Sequence, residues 1–321
     1  MTDMCPILWN DFAIDSLGNV FSCCHMKPPV LGNIYDTPMK ELVNSPNVLE
    51  RRRESLRGQL KCFSDCNLIT YEKQPIKPIN EYADYSNMTY LHLNFGHFCN
   101  IHCIMCKIHL HRKNNKSILD PETLIKNIDL APFKEIVLQG GEPLFIPECR
   151  EYLEYLGQIR KKYVMLTNGI LIDNETAVQL ARDAARVVIS INAASKEVHE
   201  YVNKGSDFER VKDNIQRMRT ARDVEHTELV LHGRMTLTIH ALHEIPMFIQ
   251  SYKEIGFDKI NFGYDHATVP EYLKKNPDFK KKLAQETQNA LKHAELSDIN
   301  PLRLEQLGLI PEGFSGEQRG F

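Results

Sequence analysis

The most restrictive feature of the sequence is an alternation of strand-like and helix-like segments that begins near Met88. Six short runs have the composition of strands: Thr89–Asn94, Glu135–Leu138, Tyr163–Thr167, Arg186–Ile191, Glu228–Thr236 and Lys259–Phe262. Five segments with helical spacing lie between them: Pro121–Leu130, Pro147–Arg160, Asn174–Asp183, Asp207–Arg222 and Leu242–Ile255. Such alternation predicts an α/β fold with a parallel sheet, either open or closed into a partial barrel.

The segments on either side of this region have a different texture. Residues 1–80 are rich in loops, with a predicted hairpin over Ile14–Phe21 and helical spacing over Pro38–Arg57 that is interrupted near Pro46. The last part of the chain is polar and helical around Asp278–Ala294. We therefore expect three domains, at 1–80, 86–264 and 265–321, of which the last is a short helical cap.

Charge and hydropathy patterning exclude several classes of protein. The chain of 321 residues has 39 basic and 42 acidic side chains, so its net charge of −3 gives no strong signal for nucleic-acid binding. No apolar run approaches the roughly 18–20 residues that span a bilayer. The first residues contain acidic groups where a signal peptide has basic ones. We therefore expect a cytoplasmic protein without membrane segments.

The nine cysteines are the strongest chemical signal. They stand at positions 5, 23, 24, 62, 66, 99, 103, 106 and 149, so eight of the nine lie in the first third of the chain. In a reducing cytosol such clustering indicates metal binding or catalysis rather than a disulfide framework.

One group, Cys99-x3-Cys103-x2-Cys106, directly follows the first predicted barrel strand. Three thiolates on one loop can each bind a different iron of a 4Fe–4S cluster and leave the fourth iron open to a small molecule. Structural zinc is the alternative, and it would need a fourth ligand such as His97 or His102. The position on a strand-to-helix loop, where parallel α/β folds carry their chemistry, favours the cluster.

A second motif, Gly140-Gly141-Glu142-Pro143, follows the second strand. Its glycines let the backbone approach a ligand closely, and its carboxylate suits an ammonium group. With both motifs, the chain from about Thr89 to Phe262 resembles the radical S-adenosylmethionine (radical SAM) superfamily.

Three later segments extend this resemblance. Thr167-Asn168-Gly169, at the end of the third strand, is similar to the TNG turn of the family. Ser190 to Ala193 resembles its S-I-D-G/A element, with Asn192 in place of the aspartate. Arg234 lies on the fifth strand, where related enzymes place polar contacts to the cofactor.

The resemblance implies a partial (β/α)6 TIM-type barrel and a set of site residues. Cys99, Cys103 and Cys106 would bind the 4Fe–4S cluster, whose open iron takes the amino and carboxylate groups of SAM. The remaining cofactor contacts would come from Gly140, Gly141, Glu142, Asn168, Ser190, Asn192 and Arg234. In the family, reductive cleavage of SAM gives a 5′-deoxyadenosyl radical that abstracts hydrogen from the substrate.

The N-terminal cysteines resemble the SPASM/twitch module, which binds an auxiliary iron–sulfur cluster. The expected ligands of a second 4Fe–4S cluster are Cys5, Cys23, Cys62 and Cys66. Spacing does not distinguish Cys23 from Cys24, although we favour Cys23. Structural zinc is again the alternative, since four cysteines in a small loop-rich domain suit either metal.

Cys149 belongs to neither group. It stands at the start of a predicted helix, where the helix dipole lowers the pKa of a thiol, so one hypothesis makes it a hydrogen donor to a substrate radical. The competing interpretation is a buried core cysteine.

The function expected from the resemblance is that of a radical SAM enzyme of the oxidoreductase or maturase type. It would act on a peptide or a small molecule, with net oxidation or crosslinking assisted by the auxiliary cluster and a flavodoxin- or ferredoxin-type electron donor. One alternative is a redox-neutral epimerase or mutase that uses a thiol hydrogen donor. A non-enzymatic metal-binding protein with a vestigial SAM site is the other, and the intact motifs count against it.

Overall fold

A computed structural model describes residues 5–23, 29–60, 80–108, 110, 113, 115–311 and 313–314 of the chain. Three of the cysteines discussed above, Cys24, Cys62 and Cys66, lie outside the described residues. The described residues form two compact units. The first contains those of 1–98 and 111–164, and the second contains those of 99–110 and 165–321.

The strands of the described residues are short, and most neighbouring strands pair in parallel. They are β1 (Asp11–Ile14), β2 (Asn19–Phe21), β3 (Gly32–Asn33), β4 (Tyr90–Asn94), β5 (His102–Cys103), β6 (Glu135–Gln139), β7 (Tyr163–Thr167), β8 (Ala184–Ser190), β9 (Asn203–Lys204), β10 (Val230–Leu237), β11 (Lys259–Tyr264) and β12 (Ile299–Asn300).

None of the helices in the described residues is long and apolar enough to cross a membrane. The α-helices of these residues are α1 (Met39–Leu42), α2 (Pro46–Leu56), α3 (Pro121–Asn127), α4 (Pro147–Gln158), α5 (Asn174–Asp183), α6 (Lys196–Val202), α7 (Phe208–Glu225), α8 (Ile245–Ile255), α9 (Val269–Lys275), α10 (Pro277–Lys292) and α11 (Leu302–Gln306).

In the first unit, an N-terminal hairpin lies beside the first strand of the predicted barrel. β1 and β2 pair antiparallel, with Ile14 opposite Val20, and Gly18 takes a φ of +79° in the turn between them. The predicted hairpin is therefore confirmed. β1 also pairs parallel with β4, where Asp11 lies beside Tyr90, and β4 pairs parallel with β6.

In the second unit, β8, β10 and β11 form a parallel ladder. Arg234 on β10 lies between Ser190 on β8 and Asn261 on β11. β12 continues the ladder as a parallel neighbour of β11. A separate antiparallel pair joins β5 to β9, with His102 opposite Lys204.

Four of the helices that follow the strands, α3, α5, α6 and α7, begin at side-chain caps that the sequence supplies. Asp120, Asp173, Ser195 and Asp207 each accept a hydrogen bond from a backbone N–H of the first turn that follows. The apolar stripes of these helices pack into the core. In α7, for example, Val211, Ile215 and Met218 are fully buried.

The six predicted barrel strands correspond to β4, β6, β7, β8, β10 and β11. Their parallel ladders and intervening helices confirm the α/β class and the partial TIM-type barrel. The C-terminal extension contains the helices α9, α10 and α11, and it also contains the short strand β12, in which Ile299 is buried and which pairs with β11. The domain boundaries at residues 80, 86 and 264 stay predictions.

Candidate active site

The loop of Cys99, Cys103 and Cys106 begins five residues after β4 and belongs to the second unit. The three side chains are partly exposed and form no disulfide. Cys106 donates its backbone N–H to the carbonyl oxygen of Cys103 at 3.1 Å. Burial, with smaller contributions from Cys106 and Cys99, raises the pKa of Cys103 to about 12. The thiols of Cys99 and Cys106 therefore lie close enough to that of Cys103 to raise its pKa.

Two antiparallel backbone contacts hold the middle of this loop. In the β5–β9 pair, Cys103 lies opposite Asn203. One residue further on, Ile104 donates its backbone N–H to the carbonyl oxygen of Val202 at 2.9 Å. The position of Cys103 is thus set by a segment that lies about 100 residues away in the sequence.

Asn168, at the C-terminal end of β7, contacts the first part of the loop. Its Nδ2 donates to Oδ1 of Asn100 at 2.7 Å and lies 4.0 Å from Sγ of Cys99. The turn that carries Asn168 is tight, because the next residue, Gly169, has a φ of +80°. The structure therefore brings together Asn168 and the cysteine loop, two features that the sequence placed on separate strands.

Ser190, the last residue of β8, lies beside Arg234, which stands in the middle of β10. Ile191 donates its backbone N–H to the carbonyl oxygen of Arg234 at 3.0 Å, which extends the ladder by one step. Both side chains are partly exposed. A hydroxyl and a guanidinium on neighbouring strands are groups that can bind a carboxylate.

Asn192, in contrast, is almost fully buried, with 3% of its surface exposed. Its Nδ2 donates to Oδ1 of Asn203 at 2.8 Å, and its Oδ1 accepts the backbone N–H of Thr236, also at 2.8 Å. The amide therefore ties the end of β8 to β9 and β10. A contact between Asn192 and the cofactor stays a prediction.

The Gly140-Gly141-Glu142 segment belongs to the first unit. It directly follows β6 and contacts the backbone just after the end of β4. The backbone N–H groups of Gly141 and Glu142 donate to the carbonyl oxygens of Gly96 and Phe98, each at 2.8 Å. A Cβ on Gly141 would lie only 1.9 Å from the carbonyl oxygen of Phe98. Glycine is thus required by the close approach of two backbone segments, and the predicted close approach to a ligand stays a prediction.

Glu142 is 1% exposed, and its Oε1 accepts the backbone N–H of Leu144 at 3.1 Å. This bond caps the short 3-10 helix Pro143–Phe145 and fixes the direction of the carboxylate. A carboxylate held in a poorly solvated position attracts a cation more strongly than one in water. The segment is therefore suited to an ammonium group.

Cys149 does not match the low-pKa thiol expected at a helix start. It is fully buried within α4, and burial raises the pKa of its thiol, with a smaller contribution from Glu142. The pKa is raised rather than lowered because desolvation of the thiolate outweighs the helix dipole. The structure thus favours the core interpretation of Cys149 over the hydrogen donor.

Two of the N-terminal cysteines lie in the described part of the chain. Cys5 is buried and packs with Leu8 and Trp9, and its backbone N–H donates to Oγ of Ser55 at 2.9 Å. Cys23 is partly exposed and follows β2. The other expected ligands lie outside the described residues, so this ligand set stays a prediction.

Among the described residues, no three His, Cys, Asp or Glu side chains converge closely enough to hold a single metal ion. A cubane cluster places a different requirement on its ligands, because each thiolate binds its own iron and the sulfurs need not meet at one point. The donor set of Cys99, Cys103 and Cys106, three thiols on one tethered loop, fits such a cluster.

Sequence reasoning missed three polar residues that contact the predicted site segments or the residues next to them. Asn100 and Asn203 accept the contacts described above, and Glu244 accepts backbone N–H groups of Ala194 and Ser195 at 2.7 and 3.0 Å. Asn100 could have been considered because it lies within the cysteine motif. The other two carry no local signal, since their partners are distant in the sequence.

Family comparisons agree with these positions. The family model described as "Radical SAM superfamily" matches residues 93–237. The model described as "Iron-sulfur cluster-binding domain", known as SPASM, matches residues 5–67. The first match includes the cysteine loop and Glu142, and the second includes Cys5, Cys23, Cys62 and Cys66.

Curated relatives match part of the chain. A probable GTP 3′,8-cyclase of Methanocaldococcus jannaschii is 29% identical over 172 residues, which cover 52% of this chain and 55% of that protein. An AdoMet-dependent heme synthase of Methanosarcina barkeri is 29% identical over 123 residues, or 38% of this chain and 34% of the relative. The chain spans about half the length of the cyclase that it matches.

Solved structures with a similar course of the chain include anSMEcpe with bound AdoMet, at 20% identity and a TM-score of 0.47, covering 63% of this chain and 61% of that one. Another is SuiB of Streptococcus suis bound to its precursor peptide SuiA, at 12% identity and a TM-score of 0.47. That match covers 90% of this chain and 70% of SuiB.

Proposed function

This chain belongs to the radical SAM superfamily and carries a SPASM iron–sulfur domain ahead of its barrel, and from that premise we propose that it oxidises or crosslinks its substrate with the help of an auxiliary cluster. The protein is an enzyme whose cofactors are SAM and iron–sulfur clusters. The observation that supports the proposal is the loop of Cys99, Cys103 and Cys106, which is contacted by Asn168 and pairs with β9.

Cys99, Cys103 and Cys106 would hold the 4Fe–4S cluster. When bound, the cluster supplies the electron for reductive cleavage of SAM, which yields the radical that removes hydrogen from the substrate. The chain contributes position. Asn168 contacts Asn100 beside the first ligand, and Asn203 pairs with the second.

The methionyl ends of SAM would be bound by side chains with matching charge. Glu142 and the close-packed Gly140–Gly141 backbone would take the ammonium group, because the carboxylate is buried and its direction is fixed. Ser190 and Arg234 would take the carboxylate. Asn192 would act indirectly by positioning β9, since its amide is engaged by Asn203 and Thr236.

A second 4Fe–4S cluster in the SPASM domain would be bound by Cys5, Cys23, Cys62 and Cys66. A cluster near the substrate can accept an electron from a substrate radical, and this favours net oxidation or crosslinking. The epimerase alternative needs a thiol donor, and the burial of Cys149 argues against that residue in the role.

The substrate would be a peptide or a small molecule. Relatives that cover part of the chain are named for a nucleotide cyclisation and for heme synthesis, so a cyclising bond formation is a second candidate outcome. We further propose a cytoplasmic location and a flavodoxin- or ferredoxin-type electron donor, because reductive cleavage of SAM needs a low-potential electron.

The test is anaerobic reconstitution of the wild type and of a Cys99/Cys103/Cys106→Ala triple variant, followed by iron and sulfide counting. With dithionite and SAM, 5′-deoxyadenosine is assayed in the same samples. We expect about eight irons in the wild type, about four in the variant, and cleavage only in the wild type. Loss of all iron in the variant would contradict the second cluster, and absence of 5′-deoxyadenosine in the wild type would contradict the proposed chemistry.

A further inference from the structure

The β5–β9 ribbon in the second unit has two chemically different faces. His102 lies opposite Lys204, and Cys103 lies opposite Asn203. Successive strand residues point to opposite faces, so His102 and Lys204 share one face and the other pair shares the second. His102 and Lys204 are exposed, whereas Asn203 is 1% exposed. The ribbon therefore turns basic groups to solvent directly behind a proposed cluster ligand.

Three further exposed residues lie close to these strands in the sequence. Lys107 is exposed after the loop, and the apolar side chains of Ile104 and Tyr201 are 36% and 52% exposed. We call the surface of His102, Ile104, Lys107, Tyr201 and Lys204 the basic ribbon face. Residues 99–110 include no acidic side chain, although the chain as a whole has a net charge of −3. The positive charge of this face is therefore local.

Of the carboxylates close to β9 in sequence, Glu197 is exposed one helical turn before Tyr201, and two others are engaged in helix capping. Glu200 accepts the backbone N–H of Phe208 at 3.2 Å, and Asp207 accepts that of Arg210 at 3.1 Å. Both contacts serve the start of α7. These acids are thus directed at the first turn of that helix, where they complement its dipole.

We propose that the basic ribbon face is the docking surface of a small acidic one-electron carrier protein of the flavodoxin or ferredoxin class. This inference rests on the proposed function, because a redox centre at Cys103 is what a carrier would need to approach. Redox partners form small, transient interfaces whose encounter is steered by opposite charge. Exposed basic groups around exposed apolar side chains provide such an interface. In the step, one electron leaves the reduced carrier and enters the oxidised cluster, while no bond forms or breaks.

The experiment uses the reconstituted full-length enzyme and a purified acidic flavodoxin. Lys204→Glu and Lys107→Glu each reverse one charge of the face, and Lys204→Arg keeps the charge at its position. Lys281→Glu is the control, because it reverses an exposed charge on α10, a helix that packs against α8. Flavodoxin binding is titrated at low and high salt. The rate of 5′-deoxyadenosine formation is then measured with reduced flavodoxin and, separately, with dithionite.

We expect each reversal on the face to weaken flavodoxin binding and slow the flavodoxin-driven rate about fivefold at low salt, with a smaller effect at high salt. Lys204→Arg, Lys281→Glu and all dithionite-driven rates should match the wild type. If both Glu variants bind flavodoxin as tightly as the wild type and keep its flavodoxin-driven rate, the proposed docking surface is wrong. Absence of dithionite-driven cleavage in the wild type would instead count against the proposed function, and the binding titration would still decide the surface. Lys107 is next to Cys106, so Lys107→Glu could lower the iron content. In that case the comparison of Lys204→Glu with Lys204→Arg decides whether the face binds flavodoxin.

Discussion

The side-chain amide of Asn168 donates a hydrogen bond to Oδ1 of Asn100, with 2.7 Å between the two atoms. This contact joins the end of β7 to the residue that follows Cys99. It gives the loop of proposed cluster ligands an anchor outside its own segment, in addition to the β5–β9 pairing.

Removal of this anchor should loosen the loop. We expect Asn168→Ala to lower the free energy of unfolding by about 1 kcal/mol, the usual contribution of such a hydrogen bond, and to reduce iron retention during a chelator challenge. Chemical denaturation and iron counting measure the two effects. The exposed Asn289→Ala variant on α10 is the control. Wild-type iron retention in Asn168→Ala would show that the contact does not support the loop.

The crossing of two backbones at Gly141 should tolerate no side chain. A Cβ there would lie 1.9 Å from the carbonyl oxygen of Phe98, so Gly141→Ala must displace the chain next to Glu142. We expect a loss of more than about 2 kcal/mol in stability and of SAM binding, measured by thermal unfolding and equilibrium dialysis. Gly205→Ala is the control, because its Cβ would meet no atom closer than 3.8 Å and adds only the strain of a positive φ. Equal effects of the two substitutions would contradict the steric argument.

The amide of Asn192 should behave as a structural bridge. Asn192→Ala leaves the N–H of Thr236 without its acceptor, and we expect a cost of about 1–3 kcal/mol. The exposed Asn289→Ala variant on α10 should change stability by less than about 0.5 kcal/mol. Urea unfolding measures both variants. A loss of stability in Asn192→Ala no larger than that in Asn289→Ala would refute the bridge.

The burial of Cys149 predicts a packing role. Cys149→Ala should lower stability by about 1–2 kcal/mol through the cavity it creates, while 5′-deoxyadenosine formation stays unchanged. The measurements are urea unfolding and the cleavage assay with SAM and dithionite. Once a substrate is known, deuterium incorporation from heavy water in the variant adds a direct check. Loss of that label with intact folding would restore the hydrogen-donor hypothesis.

His232, on β10, should make stability depend on pH. Burial, together with the nearby cations of Arg186, Arg234 and Lys259, lowers its pKa from 6.5 to about 3. Below pH 6.5 the unfolded chain binds a proton at this position and the folded chain does not. The free energy of unfolding should therefore fall by about 1.4 kcal/mol per pH unit as the pH drops toward 3.

The measurement is urea unfolding of the wild type and of His232→Gln between pH 7 and pH 5. We expect the variant to lose less stability than the wild type by about 2 kcal/mol over that range. The exposed His293→Gln variant should keep the wild-type slope. Identical slopes in the wild type and in His232→Gln would contradict the buried neutral imidazole.

Several features could be predicted from the sequence because their signals are local. The Cys99-x3-Cys103-x2-Cys106 motif, the Gly140-Gly141-Glu142 turn and the six barrel strands each depend on residues within a few positions of one another. The state of Cys149 could not be predicted in this way. Its helix-start position was read correctly, but the pKa depends on how much of the thiol the surrounding core covers.

The sequence by itself determined the α/β class, the family and the loop that offers three thiols, since strand and helix periodicity and ligand spacing are properties of contiguous residues. Only the tertiary structure decided that Asn168 anchors Asn100 across 68 residues, that β9 pairs with β5, and that β1 lies beside β4. Such contacts depend on the register and packing of distant segments. No local pattern encodes which of the many polar side chains of the chain will meet.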